Sequence, residues 1–465
     1  MNIRFILASS SLVLTGGAQR ALAQTVTPPG VHTPFSMVDE RERLEAFGPP
    51  NLPPVLNSAN PSYTIKSYDS IVNLPDGWPE RYVWVEQIVT PPQPVPLLVI
   101  FHKFGTSQLD MTVNTRFSQE AGNLGWYAVS PLAANTQHFS SLQSQNHMEG
   151  VILDMLQRYP MIDPNRIYAV GFSMGSGAAA NYAARHLNPA KPMIAAVVAM
   201  SGGFALKHTY YADPPTRIFF DFWFGNNTVG SADPFKMARS SVVNFDPLTS
   251  AVYPGEDLAR NLTHVSLQIL RAMDEKILYQ PQQCDVMAAH MRSLGAVVGP
   301  SFDYQTVPFG QDVYDHRWSM LDAHWACDWL SSKSLVLPTS ARTLADRDDV
   351  YFHFFVEQDV ANAFTPFDWT LDIPNNALRL ASTANLRRLT VDSLGAGLNT
   401  ALPLTVDFAT ADGIADEVVF TSVLAAPTSV IRDGNVTSSW SYNSTAHELT
   451  LTETDGLAHS WSVVP

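Results

Sequence analysis

Residues 166–186 read RIYAVGFSMGSGAAANYAARH, and the fold turns on them. An apolar run from Ile167 to Val170 passes into Gly171-Phe172-Ser173-Met174-Gly175 and then at once into an alanine-rich helical stretch carrying Tyr182 and Arg185. Gly-x-Ser-x-Gly is common by itself, but strand, pentapeptide and helix in direct succession are far more specific. The turn between such a strand and helix is so tight that side chains two residues either side of the serine would collide, which accounts for both glycines. Ser173 is thereby lifted above the sheet edge at a helix N-terminus, where free N–H groups favour developing negative charge. The plain alternative is a glycine-rich turn capped by a serine.

A serine hydroxyl attacks only when a base takes its proton, so a histidine oriented by a carboxylate has to follow. In sheets of this kind the chain order is serine, acid, histidine. The next buried strands after the nucleophile helix are IAAVVAMSG and VSLQILRAMD, the second ending at Asp274. Asp274 is the expected acid, with the adjacent Glu275 as its competitor. His316, in the loop QDVYDHRW before the last helix, is the expected base; His264, His290 and His324 lie on or beside regular elements and read as packed or surface histidines. The oxyanion hole needs two convergent N–H groups. Met174, next to the nucleophile, supplies one, and the loop His102-Lys103-Phe104-Gly105 supplies the other, from Phe104 or else Lys103.

Working outward, VPLLVIFH, GWYAVSPL and RIYAVGFS are continuous apolar runs alternating with helix-period stretches, as buried parallel strands covered on both faces require. SYDSIVNL and ERYVWVEQI, around Pro75-Asp76-Gly77, read as an antiparallel hairpin ahead of them. Residues 61–335 are therefore expected to form a doubly wound, mostly parallel α/β domain. Within it, 203–262 form an insertion over the mouth of the site, rich in aromatic residues. Tyr211, Phe222 and Trp223 are its candidate substrate contacts, unless these rings only fill the insertion's own core. Residues 336–348 read as a linker. From 349 to 465 short alternating runs at roughly ten-residue spacing predict a smaller all-β sandwich, an accessory part that could contact a polymer or a surface. Its His353, His447 and His459 belong to no metal-type cluster in this reading, and no HExxH or paired-cysteine pattern occurs elsewhere, so neither metal nor cofactor is expected.

Residues 1–23 have the outline of a secretory signal peptide: Arg4, an apolar stretch to Val13, and Ala21-Leu22-Ala23 for cleavage. Residues 24–60, with TPPG and FGPPNLPP, read as an extended leader. Export to the periplasm or the medium is the expectation. No later window of about 18 apolar residues appears, so no membrane span is expected. A net charge of −15 without a Lys/Arg run argues against a nucleic-acid partner. Charged residues at 15% and apolar ones at 46% indicate an ordinary folded core. The two cysteines, Cys284 and Cys327, could form one disulfide in an oxidising compartment or remain buried thiols.

The segments LLVIFHKFGTSQLDM, YPMIDPNRIYAVGFSMGSG, LARNLTHVSLQILRAMDEKI and YDHRW resemble the α/β-hydrolase superfamily, and within it secreted esterases that include feruloyl esterases and polyhydroxybutyrate depolymerase-like enzymes. The resemblance covers roughly 65–335 and implies hydrolysis of carboxylic esters, small or polymeric, through an acyl-enzyme, with Ser173, Asp274 and His316 as the triad. One departure is Lys103, which stands where such loops usually carry glycine. The competing readings are a serine peptidase of the prolyl oligopeptidase type, whose extra β module usually precedes the catalytic domain, and a non-catalytic binding protein on the same fold.

Overall fold

The structure, a computed structural model, describes residues 62–74, 76–272, 275, 277–296, 302–307, 316–318, 321–408, 416–453, 455 and 457–465. The expected signal peptide and leader, and Asp274, lie outside these residues.

The first part of the chain runs β1 (Tyr63–Asn73), β2 (Pro79–Gln87), β3 (Val95–Phe101), α1 (Asp110–Val113), α2 (Phe117–Asn123), β4 (Tyr127–Pro131), α3 (Leu142–Arg158), β5 (Ile162–Phe172) and α4 (Met174–Arg185). It continues through β6 (Ala196–Met200), α5 (Leu206–Ala212), α6 (Arg217–Phe224), α7 (Pro234–Ser240), β7 (Ser266–Ala272), α8 (Gln280–Ser293), β8 (Phe302–Val307) and α9 (Ala323–Ser331). The eight strands form one sheet in the order β1-β2-β4-β3-β5-β6-β7-β8. Pairing is antiparallel at β1-β2 and β2-β4 and parallel from β4 to β8, so the hairpin leads into a mostly parallel sheet.

Alternate residues of each strand enter different cores. Trp84, Val99 and Ile269 pack on one face, and Val85, Ile100 and Leu270 on the other. The apolar runs are continuous because both faces are covered. The same geometry decides the cysteines. Cys284 of α8 lies in the first core and Cys327 of α9 in the second, so the sheet separates them and both are free, buried thiols. Burial pushes each thiol up to about 12.

The second part is all β. Its six-stranded and seven-stranded sheets face each other around one core that includes Phe354, Leu451, Trp369 and Trp461. Alternation is plain in Thr365–Asp372, where every second residue is buried. The stretch 336–348, expected as a linker, departs from that expectation: it contains β9 (Ser340–Ala345), which pairs with Thr365–Thr370 inside the seven-stranded sheet. The two parts are also joined by packing. Leu187 and Met193 belong to the core of the β-rich part, Phe352 N–H donates to Leu187 O at 2.7 Å, and Asn261 and Leu344 exchange two hydrogen bonds at 2.8 and 3.0 Å.

At this junction the Asp346 Oδ2 atom accepts from Arg185 Nη2 of α4 at 2.7 Å and from Arg239 Nε of α7 at 2.9 Å. Burial would raise the Asp346 carboxyl, but the charges of Arg185, Arg239 and Arg347 overcome it and hold the group well below the ordinary carboxylate range. No helix among the described residues is long and apolar enough to cross a membrane.

Candidate active site

Ser173 lies between β5 and α4 at φ 57°, ψ −122°, a conformation that L residues rarely adopt. The flanking glycines have a direct steric cause. A Cβ on Gly171 would stand 2.2 Å from Gly175 O, and one on Gly175 would stand 2.1 Å from Phe101 O at the end of β3. The turn is closed further by Ser173 N–H donating to Met200 O at 2.9 Å and by the Ser176 hydroxyl donating to Gly171 O at 2.7 Å.

His316 meets Glu275, the residue directly after the expected acid: Nδ1 lies 3.0 Å from both carboxylate oxygens. The Glu275 side chain is fully buried and that of His316 is 18% exposed. Burial alone would raise the Glu275 carboxyl, but the hydrogen bond and charge of His316, with the Ile277 N–H, outweigh it and hold the group below its ordinary value. The imidazole lies over Phe172, the neighbour of Ser173, with ring centroids 4.5 Å apart. Among the described residues no hydrogen bond joins His316 to Ser173. The partner of Ser173 Oγ is Gln280 Nε2, 3.3 Å away at the start of α8. The other histidines are engaged elsewhere: His290 on Asp257 at 2.9 Å, His324 largely exposed beside Glu120, and His264 against Phe352.

The loop after β3 is held by one buried carboxylate. Asp110 Oδ2 accepts from Lys103 N–H at 3.2 Å, from the Thr106 hydroxyl at 2.7 Å and from Trp318 Nε1 at 2.8 Å. Lys103 keeps a negative φ, so the side chain at the usual glycine position introduces no left-handed strain. Its N–H is committed to Asp110. The Phe104 and Met174 N–H groups have no partner among the described residues. The His102 ring, wedged between Lys103 O at 2.9 Å and Leu132 O at 3.0 Å, fixes the start of the loop.

The insertion folds as α5, α6 and α7 around a small apolar core that contains Phe220, Phe224 and Tyr210 together with Met174 and Phe139. Phe104 packs against it, its ring 5.3 Å from Phe219 and 5.4 Å from Phe139. The aromatic rings therefore build the insertion's core and pack against Phe104 and Met174 at once. Of the candidate contacts, Phe222 is buried against Trp223, Trp223 is partly buried on this core, and Tyr211 is 66% exposed. Asp221 organises the insertion, accepting from the Tyr210 hydroxyl at 3.1 Å and from Gly230 and Ala232 N–H at 3.0 Å.

In the β-rich part, where no metal-type cluster was expected, Glu453, Asp455 and His459 bring three potential ligand atoms within 4.8 Å of one another. Arg432 occupies the cluster, donating to Glu453 at 2.5 Å and to Asp455 at 2.8 Å, and its guanidinium offsets part of the cluster's negative charge.

No protein-family model and no curated protein sequence matches the chain. Solved structures similar to it include an S-formylglutathione hydrolase from Agrobacterium tumefaciens, 12% identical with a TM-score of 0.41, over 58% of this chain and 95% of that one. Another is carboxyl esterase 2 from the mycorrhizal fungus Tuber melanosporum, at 13% and 0.41 over 58% and 85%. A third is an acylaminoacyl peptidase from Pyrococcus horikoshii, at 14% and 0.42; the match covers 60% of this chain but only 42% of that longer one.

Proposed function

We propose that the chain is an exported serine hydrolase of carboxylic esters, with Ser173 as nucleophile, His316 as base and Glu275 as the acid that orients it. The observation that carries this reading is a carboxylate-backed imidazole lying over the residue next to a serine held at positive φ. Ser173 Oγ attacks the ester carbonyl carbon as His316 Nε2 takes its proton, and Glu275 stabilises the imidazolium. Negative charge on the carbonyl oxygen is met by the Met174 and Phe104 N–H groups. The intermediate collapses with His316 returning the proton to the leaving alcohol, and water then releases the acid by the same route. The Ser173–His316 hydrogen bond has to form on the way, as apo sites often require.

The aromatic cover over Met174 and Phe104 favours an acyl group that is itself aromatic or bulky, of the feruloyl or polyester kind, and the signal-like residues 1–23 favour export. The experiment is hydrolysis of a short p-nitrophenyl ester combined with labelling by a fluorophosphonate. Ser173→Ala is expected to abolish both, with a rate loss of several orders of magnitude. Unchanged turnover in that variant removes the mechanism. A panel of methyl ferulate, polyester oligomers and chromogenic peptides then separates esterase from peptidase, with the aromatic ester expected to lead.

A further inference from the structure

Gln280 is a buried amide whose oxygen is left unused. It is 4% exposed; Nε2 donates to Ser173 Oγ, while Oε1 is buried and has no partner among the described residues. A buried acceptor left unmade is costly, and folded proteins keep few of them. The orientation is the one catalysis needs: an N–H donor on Oγ leaves the serine proton for His316, whereas a carbonyl there would take that proton for itself.

The amide is also firmly placed. Gln280 N–H donates to Ile277 O at 2.9 Å. One turn on, Gln283 clamps α8 to α5, accepting from Ala205 N–H at 2.9 Å and donating to Thr209 Oγ1 at 3.0 Å. The neighbouring cover is a cluster of apolar and aromatic side chains. Ser173 is itself only 6% exposed, and Oε1 belongs to the same amide whose Nε2 lies 3.3 Å from Oγ.

Resting on the hydrolase reading above, we propose that Gln280 is a specificity residue whose Oε1 accepts a hydrogen bond from the substrate. The preferred substrates are then esters that carry a hydroxyl or N–H two or three bonds from the scissile carbonyl carbon. Such a donor completes the amide's bonding, and an ester without one leaves the acceptor buried and unsatisfied.

The test compares methyl butyrate with methyl 2-hydroxybutyrate and methyl 3-hydroxybutyrate in a pH-stat, each kcat/KM divided by the ester's alkaline hydrolysis rate. The wild-type protein is expected to favour one hydroxylated ester by at least about tenfold. Gln280→Met, similar in length but without the acceptor, is expected to bring that ratio close to one, whatever the absolute rates. A structural role alone would lower all three rates together and leave the ratio standing. A wild-type ratio near one, or a ratio unchanged in Gln280→Met, overturns the inference while the hydrolase reading survives. No hydrolysis of any ester, with no fluorophosphonate label on Ser173, overturns both. The wild-type ratio decides even if the variant does not fold.

Discussion

Holding Ser173 at φ 57° costs on the order of 1–3 kcal/mol, and the close approach of Gly171, Gly175 and Phe101 O is what enforces it. Gly175→Ala is therefore expected to destabilise the fold by about 3 kcal/mol or more, read as a lowered urea midpoint, because its Cβ would meet backbone rather than a movable side chain. The acid is tested by a pair of variants. Glu275→Gln should lower kcat about 10³- to 10⁴-fold, since Glu275 fixes the imidazole tautomer, and Asp274→Asn should cost less than about tenfold. The opposite order would return the role to Asp274. The turn at Ser173 was legible in the sequence because its strand, glycines and helix are contiguous, although Phe101 O and Met200 O complete it from other strands. The choice between Asp274 and Glu275 was not, because neighbouring side chains at a strand end point to opposite sides, and the path of the chain beyond β7 decides which meets His316. Gln280 gave no signal at all: its partner is 107 residues away.

Among the elements, the loop after β3 and the loop carrying His316 are tied by Asp110, whose bond to Trp318 spans 208 residues. Asp110→Ala would strand the Lys103 N–H, the Thr106 hydroxyl and the Trp318 indole N–H together. The expected result is a loss of roughly 3 kcal/mol or more in stability and a larger loss in ester turnover, because the variant loosens the oxyanion loop and the base at once. Unfolding followed by tryptophan fluorescence, beside kinetics, checks both. The strands were readable from their burial on two faces, and the insertion from its aromatic content. Whether its rings served a pocket or a core could not be read, since that depends on Phe104 and Met174 arriving from distant strand ends to join them.

For the molecule as a whole, the β-rich part packs on the α/β part and shares a buried ion cluster with it. Replacing Asp346 by Leu removes the counter-charge of two guanidinium groups, one of them on α4. A cost of about 3–5 kcal/mol and a lower melting temperature are expected. A chain ending at residue 340 should be insoluble rather than active on soluble esters, because Leu187, Met193 and Arg185 lose their cover. The pattern break near residue 331 was visible in the sequence, but these contacts bring together residues too far apart in the chain for a local pattern to reveal.

The same junction gives a pH dependence. His264 lies against Phe352 with both ring nitrogens buried, and burial holds it down to about 4. Its neutral form is the one the fold accepts, so this contribution is complete above about 6.5 and is lost as pH falls toward 4. The amount is roughly 3 kcal/mol. Urea midpoints at pH 7 and pH 5 should differ less in His264→Phe than in the wild type; equal differences would exclude this source.

Residues 332, 334 and 336 are exposed on the stretch leading into β9 and invite a protease. A cut there should show two bands on a denaturing gel yet one undivided particle in solution, still hydrolysing ester. The ties through Asp346, Asn261 and Leu187 would hold the fragments together without the peptide bond.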